Sequence, residues 1–444
     1  MTLKVSISGV RGITGESLTD EVVADFSMAF AAYLGRGKSI ILGRDSRSSG
    51  EKIKDIVISN LNTSGINVTY IGIVPTPTVQ VMVKHLGADG GMIVTASHNP
   101  GQWNGLKFVR GDGIFLNEKE AGRLIDIYEK KKFLPSPQKG RSSSIADAYG
   151  PHINKVLGCI DINAIRSRKF KVVLDSCNGA GSLISQELLK ALGCEVTPLH
   201  CDVSKPFPHD PEPVPKNLSE LCNKVIQTGA DIGFAQDADA DRLAIVTNKG
   251  IAPGEEYTLA IAVQHVLAKS SKGATVVTNL STSMMVDDIS RKFGAKVTRT
   301  KIGEVNVAEK MLRLKALIGG EGNGGVMHPM VGYNRDSLVG IALVLAEMAG
   351  SGKTISQIID GLPHYVIVKQ KVECGSRDEA DRLINKIRSV FKGGKLDTAD
   401  GVKVIYHDSW VHVRSSNTEP VVRIISEAKS AQEALSLIEK VKHS

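Results

Sequence analysis

Gly193-Cys194-Glu195-Val196-Thr197 repeats a pattern, Gly-x-x-Val-Thr, found also at Gly65-Ile66-Asn67-Val68-Thr69 and Gly294-Ala295-Lys296-Val297-Thr298. Glycine suits the left-handed residue that closes a helix, and Val-Thr suits a strand. Upstream of each glycine lies an apolar stripe at helical spacing. Ile53, Ile56, Val57 and Leu61 form the first, Leu188, Leu189 and Leu192 the second, Met285, Ile289 and Phe293 the third. Upstream of each stripe is a short apolar run ending in a polar turn: Ser39–Asp45, Lys171–Asp175 and Thr275–Asn279. Strand, helix and strand in this order favour parallel pairing. The reading is an α/β fold with three related α/β domains built on mixed sheets.

The remainder of the chain is different. Tyr365–Val368, Val402–Tyr406, Trp410–Arg414 and Val421–Ile425 read as strands separated by short turns. A helix with Leu383, Ile387 and Phe391 on one stripe intervenes, and another closes the chain from Ala434 to Val441. Successive strands of this kind predict a C-terminal α+β domain with an antiparallel sheet. Gly- and Pro-containing stretches place the domains at 1–150, 151–253, 254–362 and 363–444.

At 444 residues the chain exceeds one ordinary core, which agrees with several domains. No stretch approaches the ~20 apolar residues that span a bilayer. The N-terminal residues Met1–Ser6 lack the apolar core of a signal peptide, so a cytoplasmic location is expected. The six cysteines are scattered without a CxxC, which fits free thiols rather than zinc or a disulfide framework. The formal charge is +8, but the basic residues are dispersed and aromatics are only 5%. That argues against nucleic acid and for a small anionic substrate.

Four motifs carry chemistry. In Gly91–Pro100 an apolar strand ends in Thr95-Ala96-Ser97-His98-Asn99-Pro100, which presents the Ser97 hydroxyl at a sheet edge. Pro100 disfavours a helix through this loop. Gln236-Asp237-Ala238-Asp239-Ala240-Asp241-Arg242 follows a second apolar strand. Read as an extended segment, its alternate carboxylates face one side, and an all-oxygen cluster of this kind suits Mg²⁺. It is not an EF-hand, because Arg242 stands at the glycine place and Asn248 at the final acidic place. Arg414-Ser415-Ser416-Asn417-Thr418-Glu419-Pro420, with Arg423 beyond, offers hydroxyls, an amide and two guanidinium forks to a phosphate. Gly319–Gly325 is glycine-rich with Glu321 and Asn323 as hydrogen-bond acceptors for sugar hydroxyls, and it lacks the Gly-Lys-Ser/Thr of a P-loop.

With these loops in this order, the chain resembles the α-D-phosphohexomutase superfamily over essentially its whole length. Phosphoglucomutases, phosphomannomutases and phosphoglucosamine mutases belong to it. Gly9-Val10-Arg11-Gly12, Gly43-Arg44-Asp45-Ser46-Arg47 and Asn104-Gly105-Leu106-Lys107 also resemble its first-domain signatures. The resemblance implies four domains around a central cleft. It implies that Ser97 carries a phosphoryl group, and that Ser97, Asp237, Asp239 and Asp241 hold Mg²⁺. Arg242, Glu321, Asn323, Arg414, Ser416, Asn417, Thr418 and Arg423 would then bind the sugar phosphate. Lys107 or His98 would take the hydroxyl proton, with Arg11 beside them and Arg44 as a further charge partner. The implied reaction interconverts hexose 1-phosphate and 6-phosphate through a 1,6-bisphosphate, which also serves as activator. The implied partner is a small hexose phosphate, bound by a monomer or homodimer.

The chain departs from the family pattern in two loops. Many members read Glu-x-Ser-Gly-His where this chain has Glu321-Gly322-Asn323-Gly324-Gly325, which leaves His328 as the nearest histidine. Ala238 and Ala240 replace the usual glycines of the metal loop. Length and the Thr-Ala-Ser-His-Asn-Pro loop favour a phosphoglucosamine mutase. The alternatives are a dual-specificity phosphoglucomutase/phosphomannomutase, a binding protein without turnover, and a Mg²⁺-dependent phosphatase.

Overall fold

The computed structural model describes residues 3–374, 382, 384, 386–387, 390–415 and 421–443. Each of the three repeats builds the same four-strand unit. Its first strand is Ser39–Arg44, Lys171–Asp175 or Thr275–Asn279. After a helix, the second strand pairs parallel to it: Asn67–Ile73, Glu195–Leu199 or Lys296–Thr300. The third strand pairs parallel on the other side: Gly90–Val94, Ile232–Gln236 or Ile318–Glu321. A fourth, antiparallel strand folds back on the third: Trp103–Arg110, Leu243–Thr247 or Gly325–Met327. Gly65, Gly193 and Gly294 all have positive φ, at 82°, 72° and 67°, as the helix-closing role requires.

This repetition fixes where the chemistry sits. The hairpin between the third and fourth strands carries Ser97 in the first unit, the aspartates in the second and Glu321–Gly325 in the third. Three loops of unrelated sequence are thus three copies of one structural position.

The first sheet is extended to seven strands by Lys4–Ser6, Gly9–Ile13 and Ser142–Ser144. The second and third domains share one apolar core, which includes Leu174, Phe234, Val276, Ile318, Ile341 and Val344. Those last two lie on the helix Ser337–Ser351, which is buried on almost every face and is correspondingly apolar all round.

The C-terminal sheet is antiparallel throughout, in the order Val366–Glu373, Val421–Ala428, Trp410–Ser415, Val402–Ile405, Lys395–Asp397. The helix Ala431–Lys442 covers it, with Ala434, Ile438 and Val441 buried. Ile387 and Phe391 join this core, whereas Leu383 lies outside the described residues. Trp410 anchors the domain to the third one: its ring N–H donates to Glu427, which also accepts from the Met284 N–H at 2.8 Å. Among the described residues no helix is long and apolar enough to cross a membrane.

Candidate active site

One cleft is lined by residues of all four domains: Arg11, His98 and Lys107; Glu212 and Arg242; Glu321, Asn323 and Arg335; Arg414 and Arg423. Ser97 and the three aspartates lie beneath it, with Ser97 2% exposed.

Ser97 takes a left-handed backbone, φ 53°, a costly conformation for a residue with a Cβ. Its surroundings hold it there. The Thr95 hydroxyl accepts the Ser97 N–H at 2.9 Å and donates to Asp45 at 2.5 Å. Arg47, paired with Asp45, donates to the Ser97 carbonyl at 2.7 Å and to that of Asn99. The first-domain Gly-Arg-Asp-Ser-Arg stretch is therefore a brace for the serine loop. Arg44 has a different place from the one expected: it bonds Tyr70 and Glu51 and does not line the cleft. Arg11 does line it and donates to the Asn99 side chain at 3.3 Å.

The metal loop is not the extended segment that alternation predicted. It is a tight turn in which Ala240 has φ 52°. The turn nevertheless brings the three carboxylates together, with donor atoms within 4.8 Å of one another. Asp237 spends one oxygen on the N–H groups of Asp241 and Arg242, both at 3.1 Å, and turns the other to the Ser97 hydroxyl at 3.2 Å. Asp239 accepts from Thr76 and Lys107, both at 2.6 Å. Asp241 accepts from Arg335 at 2.6 Å. One oxygen each of Asp239 and Asp241 is buried without a hydrogen-bond partner. Burial and the neighbouring charges of Asp241 and Asp239 push the Asp237 carboxyl well above its usual range. Burial also opposes ionisation of Asp239, but Lys107 outweighs it and holds that carboxyl below the ordinary value. Two orphaned carboxylate oxygens, a third facing Ser97 and crowded negative charge fit a hard divalent cation.

Arg335 is the residue that the sequence did not single out. Its guanidinium bonds Asp241, Glu304 at 3.1 Å and Glu321 at 3.0 Å. Burial disfavours its charge, yet these carboxylates raise its pKa further. It occupies the space opened by Gly325, where a Cβ would stand 2.3 Å from Arg335 Cδ. The position that carries histidine in many phosphohexomutases thus gives room here to an arginine from farther along the chain. His328 does not replace that histidine: it packs 3.5 Å from Cys159 and does not line the cleft. The only local signal was a polar turn, Gly332–Asp336, ahead of an apolar helix.

Glu321 lies at the cleft but is heavily engaged, accepting from Asn279 at 2.7 Å, Gly303 at 3.1 Å and Arg335. Asn323 lines the cleft and accepts from the Gly325 N–H. Gly324, at φ 85°, accepts the Leu243 N–H on its carbonyl, which joins the sugar loop to the metal loop. A Cβ there would stand 2.2 Å from the Leu243 carbonyl oxygen. Gly324→Ala is therefore expected to lose about 2–4 kcal/mol of stability, measured by denaturant unfolding. Arg414 and Arg423 face each other on neighbouring strands and both reach the cleft. Ser416, Asn417 and Thr418, expected to complete the phosphate cradle, lie outside the described residues.

Arg242 and burial, with Arg11, hold the His98 imidazole well below its ordinary pKa, and its Nδ1 is buried without a partner. A serine, a carboxylate cluster suited to a cation, and arginines on the far wall form one reaction space.

Comparison with known proteins gives the same answer. Family models for the phosphoglucomutase/phosphomannomutase α/β/α domains I, II and III and the C-terminal domain match residues 3–135, 148–250, 254–365 and 367–444. A phosphoglucomutase/phosphomannomutase of Thermococcus kodakarensis is 39% identical over 97% of this chain and 96% of its own. A phosphoglucosamine/phosphogalactosamine mutase of Sulfurisphaera tokodaii is 33% identical over 98% and 97%. Among solved structures, a phosphoglucomutase/phosphomannomutase family protein from Burkholderia thailandensis superposes with a TM-score of 0.86 at 29% identity, covering 99% of this chain and 97% of that one. The chain belongs to the phosphoglucomutase/phosphomannomutase family and is a phosphohexomutase, an isomerase that moves a phosphoryl group within a sugar phosphate.

Proposed function

We propose that the chain interconverts glucosamine 1-phosphate and glucosamine 6-phosphate through a phosphoserine at Ser97 and a 1,6-bisphosphate. The observation that carries the phosphoserine is the Ser97 hydroxyl at 3.2 Å from Asp237, within a buried carboxylate cluster and under a cleft walled by arginines. Phosphorylated Ser97 gives its phosphoryl group to the free sugar hydroxyl: the Ser97 O–P bond breaks as the sugar O–P bond forms. The bisphosphate turns over in the cleft and returns its other phosphate to Ser97. Arg414 and Arg423 hold the phosphate that is not reacting, which fixes orientation at either end of the sugar. Asp237, Asp239 and Asp241 would hold Mg²⁺ together with an oxygen on Ser97, and that ion supplies charge neutralisation for the transferring group.

We assign the proton transfer to Lys107 rather than His98. The Lys107 side chain lines the cleft with Nζ 2.6 Å from Asp239, beside the carboxylates under Ser97, whereas the His98 Nδ1 is buried. Lys107→Met is expected to lower kcat about 10²–10⁴-fold, the range for general acid–base groups. His98→Asn is expected to lower it less than ~10-fold. The reverse order would move the role to His98.

Several relatives named probable phosphoglucosamine mutase, at 34–36% identity, support the amino sugar. The relative at 39% identity favours the second reading, dual activity on glucose and mannose phosphates. ³¹P NMR on phosphorylated protein with Mg²⁺ and trace bisphosphate separates them. Glucosamine, glucose and mannose 1-phosphates are supplied in parallel, and fastest conversion of glucosamine 1-phosphate is expected. Faster conversion of either neutral sugar overturns the amino-sugar assignment. Release of inorganic phosphate without a 6-phosphate overturns the mutase mechanism itself.

A further inference from the structure

A second cluster of metal-ligand side chains lies in the second domain, away from the aspartate loop. Asp175 ends one strand and His200 follows its parallel neighbour, Glu195–Leu199. This is the carboxyl edge of a parallel sheet, where open α/β sheets hold ligands. His209 reaches the same point from the loop that follows. His200 Nδ1 stands 3.1 Å and His209 Nε2 3.2 Å from a single oxygen, Asp175 Oδ2. The other Asp175 oxygen accepts the Cys177 N–H at 2.8 Å, which fixes the carboxylate.

The outward nitrogens of the two rings are also placed. His209 Nδ1 is 2.9 Å from the Asp210 carbonyl oxygen, and His200 Nε2 is 3.4 Å from the Glu220 carboxylate. Such partners are acceptors, so each ring keeps its proton on the outward nitrogen. The inward nitrogens face a single carboxylate oxygen, an arrangement held by a proton on each ring or by one cation shared among the three atoms. A carbonyl or carboxylate behind each imidazole is also the usual support of a metal-binding histidine. A tetrahedral ion with bonds of about 2.0–2.1 Å sets its ligand atoms about 3.3 Å apart, near the two separations found.

We propose that Asp175, His200 and His209 bind a first-row divalent ion of the Zn²⁺ class, with water as the remaining ligand. Two imidazoles select such an ion over Mg²⁺, so the site is chemically distinct from the all-carboxylate one. Its role is structural. The loop that supplies His209 also lays Phe207 on the Arg47 guanidinium at 4.9 Å, and Arg47 holds the Ser97 carbonyl. Asn178 fastens the same loop to the sheet edge, donating to the Pro206 carbonyl at 2.8 Å and accepting from Asp202. An ion on His209 pins the loop that backs the reactive serine.

The test uses the full-length protein in excess Mg²⁺, which occupies the aspartate loop, and Co²⁺ as the probe. Equilibrium dialysis with metal analysis is expected to give one equivalent of Co²⁺, with visible bands of a four-coordinate ion that Zn²⁺ abolishes. His200→Gln/His209→Gln is expected to lose that equivalent, while Asp239→Asn retains it. Amide hydrogen exchange across residues 202–209 is expected to slow on Zn²⁺ addition in the wild type only. The wild-type readings stand even if the double variant fails to fold. Absence of Co²⁺ uptake by the wild type in Mg²⁺ overturns the proposal, as does uptake that survives in the folded double variant. Two histidines that titrate as an imidazolium pair on Asp175 without taking up metal overturn it as well.

Discussion

Ser97→Ala is expected to lower mutase turnover by at least ~10⁴-fold while leaving sugar-phosphate binding within a few-fold of wild type. The proposed reaction runs through a covalent intermediate, and a nucleophile is not partly replaceable. Among the described residues no other hydroxyl is bonded to the Asp237 carboxylate: Thr76 is committed to Asp239, and Ser281 to His412. Arg242, Arg414 and Arg423, which line the cleft and are proposed to hold the sugar phosphate, are untouched by the change. The fold is barely affected, because the Ser97 hydroxyl makes one hydrogen bond, to Asp237. The loop is held by its backbone contacts to Thr95 and Arg47, which alanine retains. Two measurements check this. Turnover with saturating bisphosphate reports the chemistry, and transfer of label from ³²P-bisphosphate to the protein reports the intermediate. A variant within tenfold of wild type, or one still labelled, would falsify the phosphoserine assignment.

Arg335→Met is expected to cost about 3–5 kcal/mol of stability, the penalty for stripping the partner from buried charges. Three carboxylates on two loops and a helix start converge on this one guanidinium, and all are nearly inaccessible. Methionine fills part of the volume, so the loss comes from uncompensated charge rather than from a cavity. The pH dependence separates the two. Burial already raises Glu304 to about 7 with Arg335 present. Without the arginine this carboxyl rises further above its unfolded value. A raised carboxyl favours the fold at low pH and loses that contribution as pH rises through the folded value. Both proteins lose this contribution in parallel up to about pH 7, and the deficit of the variant grows above about pH 7, where the wild-type loss has ended and that of the variant continues. A pH-independent loss would instead mean a packing defect. Arg335→Lys keeps the charge but not the fork and is expected to fall between the two. A methionine variant within ~1 kcal/mol of wild type at pH 8 would remove Arg335 from the role of clamp.

Much of this molecule is legible in its sequence. The Gly-x-x-Val-Thr repeats gave helix ends and parallel strands because glycine at positive φ and β-branched residues after it are local requirements. Ser97, the aspartates, Arg414 and Arg423 stood out by residue type and spacing, and the structure brings them together at one cleft. What alternation misjudged was the backbone of the aspartate loop, because an extended reading has no means of anticipating a left-handed Ala240.

Tertiary structure alone decided which loops meet. Arg335 reaches Asp241 and Glu321 only because Gly325 leaves room and the Ser337–Ser351 helix starts beside both hairpins. Asp45 and Arg47 hold Ser97 across 50 residues or more of chain, a contact with no periodicity to betray it. Asp175, His200 and His209 look unrelated in sequence and become neighbours at one sheet edge. Sequence spacing records forces that act along the chain. A cluster assembled across strands and domains is set by packing, which spacing does not record.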